Sequence, residues 1–282
     1  MAAGIERIDF RGQPALRLAT GNAAAAVVSL FGGQVLSWTP PDGGERLYLS
    51  PQAVFDGSTA IRGGIPVCFP QFSDRGPLTR HGFARTANWR VLTERSSSDY
   101  ALVTLELSND DIGQTDWPHA FVSELSILVE GSRLDLEFEV NNTGGESFDF
   151  TAALHTYLAV REVEEARLEG LHGYSYTDQI EAGRVQRDSG DALLVEAEVD
   201  RIYRRVERPL LLREHGRSLG INADGFTDVV VWNPWLDRCA AIADMPDDGF
   251  RRMLCVEAAA VHTPVRLAPG ESWWGRQTLV VL

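Results

Sequence analysis

One carboxylate stands out in this sequence for the company it keeps. Glu257 lies in MLCVEAAAV, with almost no polar neighbour along the chain. Glu is rarely buried unless it is paired or functional, and burial lifts its pKa towards the range of a useful base near neutral pH. A structural ion pair is the bland alternative, and the functional reading is preferred. His155, in FDFTAALHTYLAV, sits in an apolar, strand-like run. There a histidine is more often a hydrogen-bonded core residue than a catalyst, and His81, in TRHGFAR, calls for the same caution.

Residues 61–90 hold five arginines (Arg62, Arg75, Arg80, Arg85, Arg90) against one acid, Asp74, in a chain of net charge −14. The Gly and Pro content makes this segment shaped loop rather than ladder. A guanidinium offers a planar fork that matches phosphate or carboxylate oxygens, so an anion pocket is the functional reading. Arg62, wedged beside two glycines, and Arg85, in HGFAR, are assigned to it. Arg75, Arg80 and Arg90 are read as solvated loop charges. Trp232-Asn233-Pro234-Trp235 fits an apolar platform for a sugar ring and ordinary packing equally well. Asp200, in VDRIY, is weaker still, because an Asp at a strand end is common. Gly173-Tyr174-Ser175-Tyr176-Thr177 lacks the last Gly of a nucleophile elbow. HExxH, EF-hand and GxGxxG patterns are absent from the sequence.

The elements that must position these groups are strands. Period-2 alternation marks residues 101–108, 121–129 and 133–140, the last two joined by a hairpin turn at 130–132. Further strands are expected at 23–30, 35–39, 89–94, 148–160, 193–199, 229–232, 252–261 and 272–282. Short helical turns are expected at 109–117 and 244–251. No linker or repeat divides the chain, so residues 1–282 read as a single all-β domain, a large antiparallel sandwich.

Composition narrows the function. The apolar share is 44% and the charged share 23% of 282 residues, which excludes disorder as the main character. The acidic balance disfavours nucleic-acid binding and polybasic membrane docking. Every basic residue is Arg; with no Lys, Schiff-base chemistry, PLP anchoring and a Walker-type loop are excluded. Cys68, Cys239 and Cys255 are widely spaced, which fits a reducing compartment and no thiolate zinc site. The stretch 23–38 is broken by Gly32, Gly33 and Gln34 well short of a membrane span. A cytoplasmic location, with no membrane association, is the expectation.

Nine segments in order, FGGQVLSW, IRGGIPVCFPQF, HGFAR, LHTYLAV, VDRIY, VVVWNPW, DMPDDGF, MLCVEAAAV and PGESW, together resemble the hexose-6-phosphate mutarotase branch of the aldose 1-epimerase superfamily. The resemblance implies a β-supersandwich of galactose mutarotase type that interconverts sugar anomers without cofactor or metal. It implies Glu257 as catalytic base, required ionised, and His155 as catalytic acid, required protonated. It further implies Gln71, His81, Asp200 and Trp232 as substrate contacts, with Arg62 and Arg85 on the sugar phosphate. Any family contact made by Lys must be replaced here. A monomer or small homo-oligomer acting on a small sugar phosphate is expected. Three rivals stay open: a glycosidase or lyase, which normally needs two flanking carboxylates, a non-catalytic sugar-phosphate sensor, and a general aldose epimerase acting on free sugars.

Overall fold

Buried and half-exposed residues alternate without interruption along Phe121–Glu130, and this makes one arm of a hairpin. The other arm is Arg133–Asn142, reached through Gly131-Ser132, with Gly131 in the left-handed region at φ 54°. These two strands lie in a nine-stranded sheet together with Tyr100–Ser108, Arg90–Ser96 and the C-terminal strand Ser272–Val281. The computed structural model describes residues 3–113 and 117–282. Within them the chain also forms a four-stranded meander, Gly4–Phe10, Gln13–Ala19, Ala25–Ser29 and Val35–Thr39, and an eight-stranded sheet. The ladders between these strands are antiparallel throughout the described residues. One buried cluster takes side chains from all three sheets, among them Leu16, Phe138 and Val231. The all-β reading is thus met.

The eight-stranded sheet carries the candidate residues Asp200, Trp232 and Glu257. Its order is Arg184–Arg187, Ser175–Asp178, Val199–Arg204, Asp228–Asn233, Met253–Leu267, Phe148–Leu154 and Val67–Cys68, with Tyr157–Ala159 also paired to Met253–Leu267. Val229, Val231, Val256 and Ala258 face the main core. Their alternate neighbours Val230, Ala259 and Val261 form a second apolar cluster with Cys68, Phe72, Ala153 and Ile202. With both faces covered, these strands read as continuous apolar runs instead of alternating ones.

Several expected boundaries move. The run 148–160 is two strands, broken at His155-Thr156. There Thr156 Oγ1 donates to Gln277, whose Nε2 donates to Val256 O (3.0 Å). The strand expected at 193–199 is absent: Ala192–Leu193 ends at its first residue and Val199–Arg204 begins at its last. Gly4–Phe10, Gln13–Ala19, Ser175–Asp178, Arg184–Arg187, Leu210–Glu214 and Arg217–Asp224 are strands the patterning missed, because most carry polar or charged residues on both faces. Asn233-Pro234 leads into a short helix, Trp235–Ala240. The helical turns expected at 109–117 and 244–251 shrink to 3-10 turns at Asn109–Asp111 and Gly249–Arg252; residues 114–116 lie outside the described residues.

Candidate active site

Strand register assembles the site. Asp200 pairs with Trp232, Trp232 with Cys255 and Cys255 with Tyr157. Directly paired residues share a face, so this row points one way, and Glu257, two residues beyond Cys255, points with it. The face opens into a cleft of about 310 Å³, large enough for a small ligand. His155 enters from the break between its two strands, where its backbone N–H donates to Pro66 O (2.9 Å). Its Nδ1 lies 3.4 Å from Glu257 Oε1. The imidazole stacks on Tyr157, with centroids 4.7 Å apart and planes at 11°, and meets Trp232 edge-on at 6.0 Å.

The pair is buried and under-satisfied. Neither Glu257 Oε2 nor His155 Nδ1 has a hydrogen-bond partner among the described residues. An unmet buried polar atom costs about 1–3 kcal/mol, so this pair does not serve stability. Burial, then the charge of Asp200, pushes the Glu257 carboxyl well above the usual carboxylate range. Burial, then Arg85 and Arg62, pulls His155 down to about 3. Both shifts run against the charged forms expected from sequence, because a dry cleft penalises an ionised carboxylate and a protonated imidazole alike. Asp200 is lifted to about 6, chiefly by burial.

The cationic wall is wider than the sequence reading allowed. Arg62 and Arg85 line the cleft as expected, but so do Arg75, Arg80 and Arg238. Arg62 donates to Asp244 Oδ1 (3.1 Å) and Tyr157 OH (3.2 Å). Arg80 pairs with Asp74, and Arg238 with Glu198 at 3.3 Å. Arg85 donates to Arg80 O (2.7 Å), and Arg75 to Val261 O (3.5 Å) and Gln179 Oε1 (3.2 Å). Among the described residues these last two have no carboxylate partner. Arg90, paired with Glu106 on the nine-stranded sheet, is the surface charge it was read to be. Glycine sets where Arg62 stands: a Cβ on Gly63 would come within 2.3 Å of Tyr48 O, and its φ of +109° suits no L side chain.

Not every candidate reaches the cleft. Gln71 spends its amide on its own loop, donating to Ser73 O and Leu78 O and accepting from Leu78 N at 2.9–3.1 Å. It is not among the lining residues. Trp232 lines the cleft, whereas Trp235 packs on Phe250 with centroids at 5.1 Å, so the two tryptophans do not form one platform. Sequence reading assigns Arg75 and Arg80 to solvent and does not reach Tyr157, Arg238 or Gln179. Of those three, only Tyr157, two residues from His155, carries a sequence signal. Asp200 gives the cleft a second carboxylate, so counting acids no longer separates this site from a glycosidase; the His155–Glu257 contact does. His155, Cys255 and Glu257 each bring one donor atom within 4.8 Å of the others, a grouping able to hold a metal ion. Burial, then Glu257, raises the Cys255 thiol well above its ordinary value, which keeps it protonated.

The chain is similar to several known proteins. The family model described as Aldose 1-epimerase matches residues 14–279. A Cenchrus ciliaris protein named "Putative glucose-6-phosphate 1-epimerase" is 36% identical over 98% of this chain and 85% of its own length. The crystal structure of a "putative mutarotase (YeaD)" from Salmonella typhimurium superposes with a TM-score of 0.91 at 26% identity, covering 99% of this chain and 93% of that one. Galactose 1-epimerase from Lactobacillus acidophilus NCFM shares the fold, with a TM-score of 0.78 at 14% identity, covering 100% and 99%. Among the described residues no helix is long and apolar enough to cross a membrane.

Proposed function

Because this chain belongs to the aldose 1-epimerase family, we propose that its cleft interconverts the α and β anomers of an aldohexose 6-phosphate, glucose 6-phosphate first among them. One observation carries the reading: Glu257 and His155 meet at 3.4 Å in a cleft walled by arginine. The name of the Cenchrus ciliaris relative supports the choice of sugar phosphate.

Anomer exchange needs one proton taken from the anomeric hydroxyl and one given to the ring oxygen. Glu257 takes the first and His155 gives the second. The C1–O5 bond opens to the aldehyde, the C1–C2 bond rotates, and the ring closes on the other face while both transfers reverse. Each side chain ends in the protonation state it began with, and the two groups suffice for the chemistry. The substrate eases part of this cost. Besides burial, Arg85 and Arg62 depress His155, and a phosphate dianion seated on them offsets their field, which favours protonation of His155 as the sugar binds. Asp200, His81 and Trp232 orient the ring. The activity is assigned to the cytoplasm, which three buried, unpaired thiols favour.

The test is a substrate panel. Anomeric magnetisation transfer is measured for glucose 6-phosphate, galactose 6-phosphate and free glucose with purified protein. Acceleration concentrated on a 6-phosphate supports the assignment. Equal acceleration of free glucose would make the protein a general aldose epimerase, and none on any sugar would leave a sensor.

A further inference from the structure

His81 is held from behind by its Nδ1. The backbone N–H of Ser73 donates to that nitrogen across 3.3 Å, and Cys68 Sγ lies 3.1 Å from it. A backbone amide can only donate, so Nδ1 is the unprotonated, accepting nitrogen and the ring hydrogen sits on Nε2. The thiol then has one role open to it, donation of its S–H to the same nitrogen. The framework behind the contact is firm. Cys68 is fully buried in a strand paired with Phe148–Leu154, and His81 N closes the loop by donating to Ser73 O (3.1 Å). His81 itself stands at φ 64°, a left-handed conformation that swings its ring over Cys68 and edge-on to Phe72 at 5.0 Å. His81 lines the cleft, its ring centroid 5.3 Å from that of His155.

We propose that Cys68 is a positioning residue which, with the Ser73 amide, locks His81 as a permanently neutral Nε2–H donor to a substrate oxygen. The choice of that oxygen rests on the anomerase reading above, whereas the tautomer does not. Two imidazoles in one cleft thereby divide the work: His155, beside Glu257, exchanges protons, and His81 only donates a hydrogen bond. The groups facing His81 agree. Cys68, Ser73 and Phe72 lie behind it, His155 beside it, and Arg85, Arg80 and Arg62 act on it from the cleft wall; burial, then these neighbours, disfavour its cationic form. Protonating Nδ1 would also expel two donors at once.

The experiment is two-bond ¹H–¹⁵N correlation on the full chain with ring-labelled histidine, His81 being assigned from its absence in His81→Gln. The expected pattern is an unprotonated Nδ1 and a protonated Nε2, constant from about pH 5 to about pH 9. A proton on Nδ1, or titration of His81 in that range, overturns the proposal whatever the activity. In Cys68→Ala one donor is lost, so the His81 titration midpoint should rise and kcat/KM should fall about 2- to 10-fold. Cys68→Ser, whose hydroxyl still donates, should restore most of both. An Ala variant with wild-type His81 shifts and wild-type kcat/KM would also overturn it. Complete absence of anomer exchange in the wild type, with the expected tautomer seen, would fault the functional reading and leave the lock standing.

Discussion

Glu257 and His155 each sit where their charged form is costly, and what they do follows from that. A positioned acid or base is worth about 10²–10⁴ in rate, so Glu257→Gln and His155→Asn should each lose about that much in kcat, read by anomer exchange. The pH profile belongs to the pair: the one-proton form is active, between the second protonation of the pair at low pH and its last deprotonation at high pH. Asp200 helps hold Glu257 high. Asp200→Asn removes that negative neighbour, so the alkaline limb of kcat/KM should move to lower pH; an unmoved limb would detach Asp200 from the pair. Linkage gives a stability counterpart. With its folded pKa raised, the stability Glu257 contributes is full below its unfolded value near 4.5 and is lost as pH rises through the folded one. Glu257→Gln removes that loss, and its Tm at pH 8 should exceed wild type by about 2 °C or more. Differential scanning calorimetry decides this, and an equal or lower Tm would contradict it.

At the scale of elements, the segment around Arg62 tests how rigidly the fold delivers a cation. Gly63→Ala must push its new carbon off Tyr48 O, a backbone atom. Arg62 should shift with it, costing about 1 kcal/mol or more of stability by urea titration and much of the activity on a sugar phosphate. The same elements show what patterning reveals. The hairpin at 121–142 was legible because one face is wet and one dry, which imposes period 2. Glu257 was legible because a carboxylate is conspicuous in an apolar run. The row Asp200–Trp232–Cys255–Tyr157 was not, since it depends on register between strands far apart in sequence, and apolar runs buried on both faces give no phase to read. Arg75 and Arg80 were misjudged for a related reason: a charged loop looks the same in sequence whether it faces solvent or folds over a cleft. Arg238 lay hidden in a helix too short to show periodicity.

Taken whole, the molecule is an acidic body, at −14, with an arginine-walled opening. A dianion repelled at long range must be held locally, and hydrogen bonds to charged groups are each worth roughly 1.5–3 kcal/mol, about 10- to 100-fold. Arg85 has no carboxylate partner among the described residues, so Arg85→Ala should lower kcat/KM for glucose 6-phosphate by that factor and barely change free glucose. Arg85→Lys should recover only part of the loss. Arg62 also braces Asp244 and Tyr157, and Tyr157 stacks on His155, so Arg62→Ala should cost activity on both sugars; a loss confined to the phosphate would show the brace to be idle. Above all these stands the exchange reaction itself. Two-dimensional exchange spectroscopy of glucose 6-phosphate with catalytic protein should show α–β cross-peaks growing far faster than in buffer, in proportion to protein, and falling back towards buffer with Glu257→Gln. Wild-type cross-peaks no faster than buffer, or undiminished ones in Glu257→Gln, would contradict an anomerase built on this pair.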